Sequence, residues 1–273
     1  MATRIIVAVI AVPLLFAIIF FAPLWGFAVV VGLISAGAAW ELLRCIDEKM
    51  PKRFRGYASA VGFLTPVSCV FAQSSVVTNT AMYALTLIMF CELMLSYRGA
   101  ERIKVETALA VIFAGGVMPL LLAALVRIGL DKSYAPVFLL LPFVAAFSSD
   151  SGAYFAGKFF GKRKIFPHLS PNKTLAGCIG GFASTVILML VYGFVLSRNG
   201  FEVNYLLLAL YGLLGSLVCQ LGDLAFSAVK RQYGIKDYGH LIPGHGGMLD
   251  RFDSMHFTAP MMELLVLLLP AIK

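Results

Sequence analysis

Ser227 to Ser254 reads SAVKRQYGIKDYGHLIPGHGGMLDRFDS and follows the run QLGDLAF, Gln220 to Phe226. It is the most polar passage of a largely apolar chain, and hydrophobic stretches of bilayer-spanning length flank it on both sides. If Leu206 to about Tyr233 is one helix, Asp223, Ser227, Lys230 and Arg231 fall at i, i+4, i+7 and i+8 and share a face. Asp250, Asp253 and Ser254 fall at i, i+3 and i+4, a spacing that predicts one side of a second helix. Between them runs Pro243-Gly244-His245-Gly246-Gly247, whose glycines tolerate positive φ and let backbone N–H groups approach a ligand. Carboxylates on two helices, a Gly-rich turn and a fringe of Lys and Arg suit divalent cations that in turn hold polyphosphate. The plainer alternative is a set of solvated ion pairs at helix ends.

The surrounding composition sets the fold class. Hydrophobic residues make up 60% of the 273 and charged residues 13%, which marks a polytopic membrane protein rather than a soluble domain. Apolar stretches of spanning length occur at 5–22, 25–43, 57–73, 77–97, 107–129, 135–157, 175–197, 204–229 and 249–270, about nine transmembrane helices. The expected fold is all-α, because runs this long and continuous do not suit barrel strands. Residues 1–130 are expected to form a scaffold of transmembrane helices and residues 131–273 the catalytic region.

A net charge of +8 does not indicate nucleic acid here, since the bases sit in short loops between apolar spans. With the spans as placed, 18 of the 22 Lys and Arg fall on one side. That asymmetry predicts an N-terminus and polar loops in the cytoplasm and a C-terminus outside. The five cysteines are scattered in or near apolar stretches with no C-x-x-C pair, and read as small core residues with neither a disulfide framework nor a zinc site in view. Glu41, beside Trp40 near the end of the second span, is an acid at the interface and Glu92 an isolated intramembrane carboxylate, and structural pairing is the expected role of both.

A second polar passage lies nearer the middle. Asp150, Tyr154, Gly157 and Lys158 repeat the i, i+4, i+7, i+8 layout, and a basic loop ends in Ser170-Pro171-Asn172-Lys173-Thr174 before Gly177, Gly180 and Gly181. Small residues there permit close helix packing.

Taken whole, S-A-V-K-R-x4-K-D-x7-H-G-G-M-x-D-R-F-D-S resembles the signature of the phosphatidate cytidylyltransferase (CDP-diacylglycerol synthase) family. The S-P-N-K-T-L-A-G passage resembles that family's S-P-K-K-T-x-E-G, with Asn172 in place of a Lys and Ala176 in place of a Glu. The resemblance covers about Asp150 to Ser254. It implies a metal-dependent transfer of CMP from CTP to phosphatidic acid, giving CDP-diacylglycerol and pyrophosphate. By the same resemblance Asp223 and Asp250 are the principal metal ligands, with Asp253 and Asp150 as further candidates, and Mg2+ is the expected ion, in two sites of which the second is open as to identity. Lys173, Lys230, Arg231 and Arg251 would neutralise phosphates, while Ser170, Thr174, Ser227, Gly246 and Gly247 would line the substrates. His245 either contacts phosphate or stabilises the turn. Expected partners are CTP, phosphatidic acid and membrane lipids, with a homodimer allowed, in a bacterial inner membrane. A CTP-dependent polyprenol or phytol kinase, an ether-lipid cytidylyltransferase and a non-catalytic lipid-binding or transport relative stay open.

Overall fold

The computed structural model describes residues 13–71, 74–99, 102–130, 133–239 and 246–273. Residues 240–245, which include His245 and Gly244, lie outside it, as do residues 5–12 of the first expected span; residues 13–21 are helical. In chain order the helices are α1 (Leu24–Ile46), α2 (Lys52–Ser68), α3 (Ser74–Ser96), α4 (Val105–Ile112), α5 (Met118–Leu122), α6 (Ala124–Arg127), α7 (Ala135–Phe160), α8 (Leu175–Arg198), α9 (Tyr205–Gln232), α10 (Leu249–Phe252) and α11 (Met255–Leu268). A π-helical turn, Phe113–Val117, joins α4 to α5. Among the described residues there is no strand, only two isolated antiparallel bridges.

Among the described residues six helical segments are long and apolar enough to cross a membrane: Leu24–Ile46, Ser75–Ser96, Val105–Arg127, Ala135–Phe160, Leu175–Arg198 and Tyr205–Gln232. This is an all-α polytopic membrane protein. Two of the other expected spans differ from expectation. The stretch 57–73 belongs to α2, a 17-residue helix that opens on Lys52, Arg53 and Arg55. The stretch 249–270 is not one helix: α10 ends at Phe252 and α11 starts at Met255. Asp250, Asp253 and Ser254 therefore do not share one continuous helical face. The cause is local, since the Asp253 carboxylate accepts the N–H of Ser254 at 2.7 Å, an alternative to the helical ladder that Asp side chains commonly offer.

The chain forms two compact units. The first contains the residues up to Leu130 together with Tyr233–Phe252; the second contains Asp131–Gln232 and Asp253–Lys273. In the first, α1 packs on α2, and glycine at 32 lets the helices close, because a Cβ there would stand 2.8 Å from the Phe63 carbonyl oxygen. Phe27, Leu43, Phe54, Leu85 and Met118 are fully buried in its core. Arg55, also buried, closes the α1–α2 connection by donating to the carbonyls of Asp47, Glu48 and Met50. Glu92 pairs with Arg53 at 2.8 Å, which satisfies the structural role expected of it.

In the second unit α7 packs along α8, and α9 packs on both and on α11. The α7–α8 seam is made of small residues. A Cβ at Gly152 would run into the Ser184 side chain and stand 2.6 Å from the Gly180 carbonyl oxygen. Tyr211, buried on α9, places its hydroxyl 2.8 Å from the carbonyls of Leu265 and Leu269 near the end of α11. Large apolar side chains that face outward, among them Leu206 and Leu268, belong against lipid tails rather than water.

Candidate active site

The polar corner of the second unit is assembled from α7, the loop before α8, α9 and the turn between α10 and α11. The basic loop is closed on itself: Lys164 bridges Thr174, with the Ile165 N–H bonded to the Lys173 carbonyl at 3.1 Å and the Leu175 N–H to the Arg163 carbonyl at 2.9 Å. Thr174 then caps α8, its hydroxyl accepting the N–H of Gly177 at 3.1 Å. A closed loop and a capped helix fix the position of Lys173 between them.

Lys173 reaches α9. Its ammonium lies 2.6 Å from the Asp223 carboxylate and donates to the Gln220 carbonyl at 3.3 Å. One turn further along α9, the Ser227 hydroxyl donates to Asp223 at 3.4 Å, and one turn beyond that Lys230 lies 4.0 Å from Asp253. The i, i+4, i+7 face expected on this helix is therefore present, with Ser227 and Lys230 both buried. Arg231 turns to the loop instead, its Nε donating to the Leu169 carbonyl at 3.3 Å.

Asp253 is drawn to this corner because α9 is bare at Gly222, where a Cβ would stand 3.1 Å from the Ser254 Cα. It lies outside the six spans, in the turn between two helices. Burial pushes its carboxyl up to about 7, the charges of Asp223 and Asp150 add to that, and Lys230 and the Ser254 N–H oppose it. Asp150, on α7, comes within 3.8 Å of the Cys219 sulfur. Three acids and two lysines thus share one neighbourhood, and burial and mutual repulsion leave Asp253 short of compensating positive charge.

A cleft of about 240 Å³ opens among these groups, lined by Asp150, Tyr154, Ser170, Asn172, Lys173, Thr174, Gln220 and Asp223. It falls below the roughly 300–1,000 Å³ of pockets that enclose whole small molecules, so it suits a phosphate group with its counter-ion. Gln220 was not among the expected site residues. Its amide bonds the Cys178 carbonyl and the Ser216 hydroxyl, and its place one turn before Asp223 on the same helix is the trace it leaves in the sequence.

Asp250 belongs to the first unit. Its Oδ2 accepts the N–H of Tyr238 at 2.8 Å and that of Gly247 at 3.0 Å, and Gly246 holds the loop at φ +83°. The Gly247 N–H is thus turned to Asp250. The neighbouring N–H groups of Met248 and Leu249 go to Glu41, at 2.9 and 2.8 Å. Arg251 is exposed on α10. Among the described residues no three His, Cys, Asp or Glu side chains stand close enough to hold a cation by themselves. A magnesium ion that keeps water and phosphate oxygens needs only one or two carboxylates, so the donor set still fits it.

The fold and this corner define a helical membrane protein that gathers carboxylates and lysines where a phosphate-sized cleft opens between helices. The Cytidylyltransferase family model matches residues 2–269, and the chain belongs to that family. It is 44% identical over 135 residues to the phosphatidate cytidylyltransferase of Bacillus subtilis (strain 168), covering 50% of this chain and 49% of that protein. It is 42% identical over 130 residues to the enzyme of that name from Staphylococcus haemolyticus (strain JCSC1435), covering 48% and 49%. For Staphylococcus aureus (strain COL) the figures are 44% over 131 residues, 48% and 49%. In each case the chain spans about half the length of the relative it matches.

Proposed function

We propose that this protein is a phosphatidate cytidylyltransferase, joining CTP and phosphatidic acid to give CDP-diacylglycerol and pyrophosphate. The observation that carries the reading is the meeting of Asp150, Asp223 and Lys173 at a phosphate-sized cleft, with the Lys230–Asp253 pair close enough for Asp253 to feel the charges of Asp223 and Asp150. Family membership and the names of the relatives support it.

A phosphate oxygen of the lipid forms a bond to the α-phosphorus of CTP, the bond from that phosphorus to the β-bridging oxygen breaks, and the electron pair leaves with pyrophosphate. The attacking phosphomonoester is already largely ionised near neutral pH, so no strong base is required. What the reaction needs is positive charge placed around two polyanions. Lys173 is held by Asp223 and Gln220 at the cleft, from which its ammonium can pass to an incoming phosphate. Lys230, buried beside Asp253, supplies a second fixed cation, while Arg231 and Arg251 are expected to meet the outlying phosphates. Ser170 and Thr174 line the cleft and Ser227 holds Asp223 in place.

Within the second unit Asp223, with Asp150 and Asp253, would hold Mg2+; Asp250 is assigned as a ligand on the signature alone. Bound there, the ion would neutralise phosphate charge and polarise the α-phosphorus. The high affinity of Asp253 for a proton favours this, because a cation relieves the same repulsion that a proton does. We assign the polar loops to the cytoplasmic face of a bacterial inner membrane, as the loop charge asymmetry supports.

Purified protein in mixed micelles of phosphatidic acid, given CTP labelled at either the α- or the γ-phosphate, tests the reading. Label from the α-phosphate should enter the lipid and γ-label should leave as pyrophosphate. Transfer of γ-label to a lipid would mean a CTP-dependent kinase, and no transfer of either would mean a non-catalytic relative.

A further inference from the structure

Glu41 lies in α1, far in sequence from every residue of the signature, yet among the described acids of the first unit it is the most closely enclosed. Its Oε1 accepts the Met248 N–H at 2.9 Å and its Oε2 the Leu249 N–H at 2.8 Å, and the residue is 7% exposed. Two glycines of the signature region close over it. A Cβ at Gly239 would stand 2.9 Å from the Glu41 Cδ, and one at Gly247 2.6 Å from the same atom. For both glycines the three nearest obstacles to a Cβ are all Glu41 atoms. Neither glycine has a positive φ, unlike Gly246 at +83°. No left-handed backbone requires glycine at 239 or 247; the space taken by Glu41 does.

We infer that Glu41 is a positioning residue for the signature loop: its carboxylate fixes the backbone at Met248 and Leu249, and through that the direction in which Asp250 is presented. Asp250 is tied to the same short segment, accepting the N–H of Gly247 immediately before the pair that Glu41 holds. The two carboxylates therefore bind three consecutive N–H groups, Gly247 to Asp250 and Met248 and Leu249 to Glu41. If Glu41 lets go, nothing else described holds the last two, and the loop carrying Asp250 loses its reference to α1. An aspartate at 41 is one methylene too short to reach both donors, and a glutamine presents one oxygen where two are needed. The inference rests on the reading in which Asp250 takes part in metal binding, and its test must separate failure of the two.

The experiment compares wild type, Glu41→Gln and Glu92→Gln in the full-length protein, the last as a control acid that pairs with Arg53 and bonds nothing in the loop. Turnover of CTP with phosphatidic acid, Mn2+ affinity by electron paramagnetic resonance, and amide hydrogen exchange over residues 246–250 are measured together. Glu41→Gln should speed exchange at Met248 and Leu249, weaken Mn2+ at least tenfold and lower kcat more than it changes KM for phosphatidic acid. Glu92→Gln should leave all three alone. A wild type inert with CTP would sink the proposed activity, while Mn2+ affinity and exchange would still decide for or against Glu41. Unchanged exchange and Mn2+ affinity in Glu41→Gln overturn the positioning role even if the enzyme is active, and so does a wild type that binds no Mn2+. A double-mutant cycle guards against simple misfolding. Gly247→Ala alone should be strongly impaired by the collision with Glu41, and in a Glu41→Ala background the same substitution should cost little further Mn2+ affinity or loop protection; strictly additive losses would show that Glu41 is not why glycine stands at 247.

Discussion

The α7–α8 seam makes a sharp demand at Gly152. A methyl group there meets the Ser184 side chain and stands 2.6 Å from the Gly180 carbonyl oxygen, and a backbone oxygen inside a helix cannot step aside. Either the two helices separate by several tenths of an ångström or Ser184 gives up its bond to the Ser148 carbonyl, now 2.7 Å. Overpacking of this kind costs about 1–3 kcal/mol, and the lost hydrogen bond about 1 kcal/mol more. Better helix propensity offsets about 1 kcal/mol. Gly152→Ala is therefore expected to destabilise by about 1–3 kcal/mol. The matched control is Gly56→Ala in α2, where nothing lies within 4 Å of the added carbon; it should be neutral or stabilise by up to about 1 kcal/mol. Apparent melting temperatures in one detergent, at one scan rate, should place Gly152→Ala below and Gly56→Ala at or above the wild type. Because Asp150 stands two residues earlier on the same helix, Gly152→Ala should also lower CTP turnover about tenfold. If Gly152→Ala melts no lower than Gly56→Ala, the close approach of α7 to α8 described above is wrong.

Three further outcomes are expected. Asp223→Asn and Asp250→Asn should each insert and fold yet lose more than about a hundredfold in turnover, beyond what a change outside the ligand shell produces; near-normal Mg2+-dependent activity in either would remove that residue from the metal site. For Asp253, a carboxyl raised from 3.8 to about 7 is bound by its proton more tightly in the folded state, so its effect destabilises progressively as pH rises from about 4 to about 7. In chelator, wild type should lose melting temperature over that window and Asp253→Asn should lose less, melting higher at pH 8 while turning over poorly; parallel pH profiles would contradict the burial of this acid. With Thr174 already capping α8, Ala176→Glu adds only an acid in the first helical turn, worth about 0.3–1 kcal/mol; a slightly higher melting temperature at constant kcat is expected, and a tenfold rise in kcat would show that the natural chain lacks a catalytic group.

Local pattern carried much of this structure. The helix expected from Leu206 to about Tyr233 is found at Tyr205–Gln232, and its Asp223, Ser227 and Lys230 face follows from spacing alone. The break after Phe252 escaped, because an apolar run resumes at once and hydropathy averages over a two-residue interruption. The π-helical turn at Phe113–Val117 escaped for a related reason: it accommodates Gly115, whose Cβ would stand 2.6 Å from the Ala58 Cα, and that neighbour belongs to another helix. Glu41 was visible as an acid near the end of an apolar span, but a partner 207 residues away leaves no periodicity. The glycines of the signature suggested room for phosphate, whereas Gly239 and Gly247 make room for a side chain of the protein itself.

That separation of 207 residues also sets a clock. A ribosome adding about 5–20 residues per second takes on the order of 10–40 s to travel from Glu41 to Met248. Throughout that interval α1 has entered the membrane with an acid whose two N–H partners have not been made. An uncompensated carboxylate at depth costs about 2.5–3.5 kcal/mol, so the nascent helix gains by riding high, with Glu41 at the water interface, until the loop arrives. The final seating of the first unit is then a late event of biosynthesis, because a chain stalled before Met248 carries Glu41 without its loop donors.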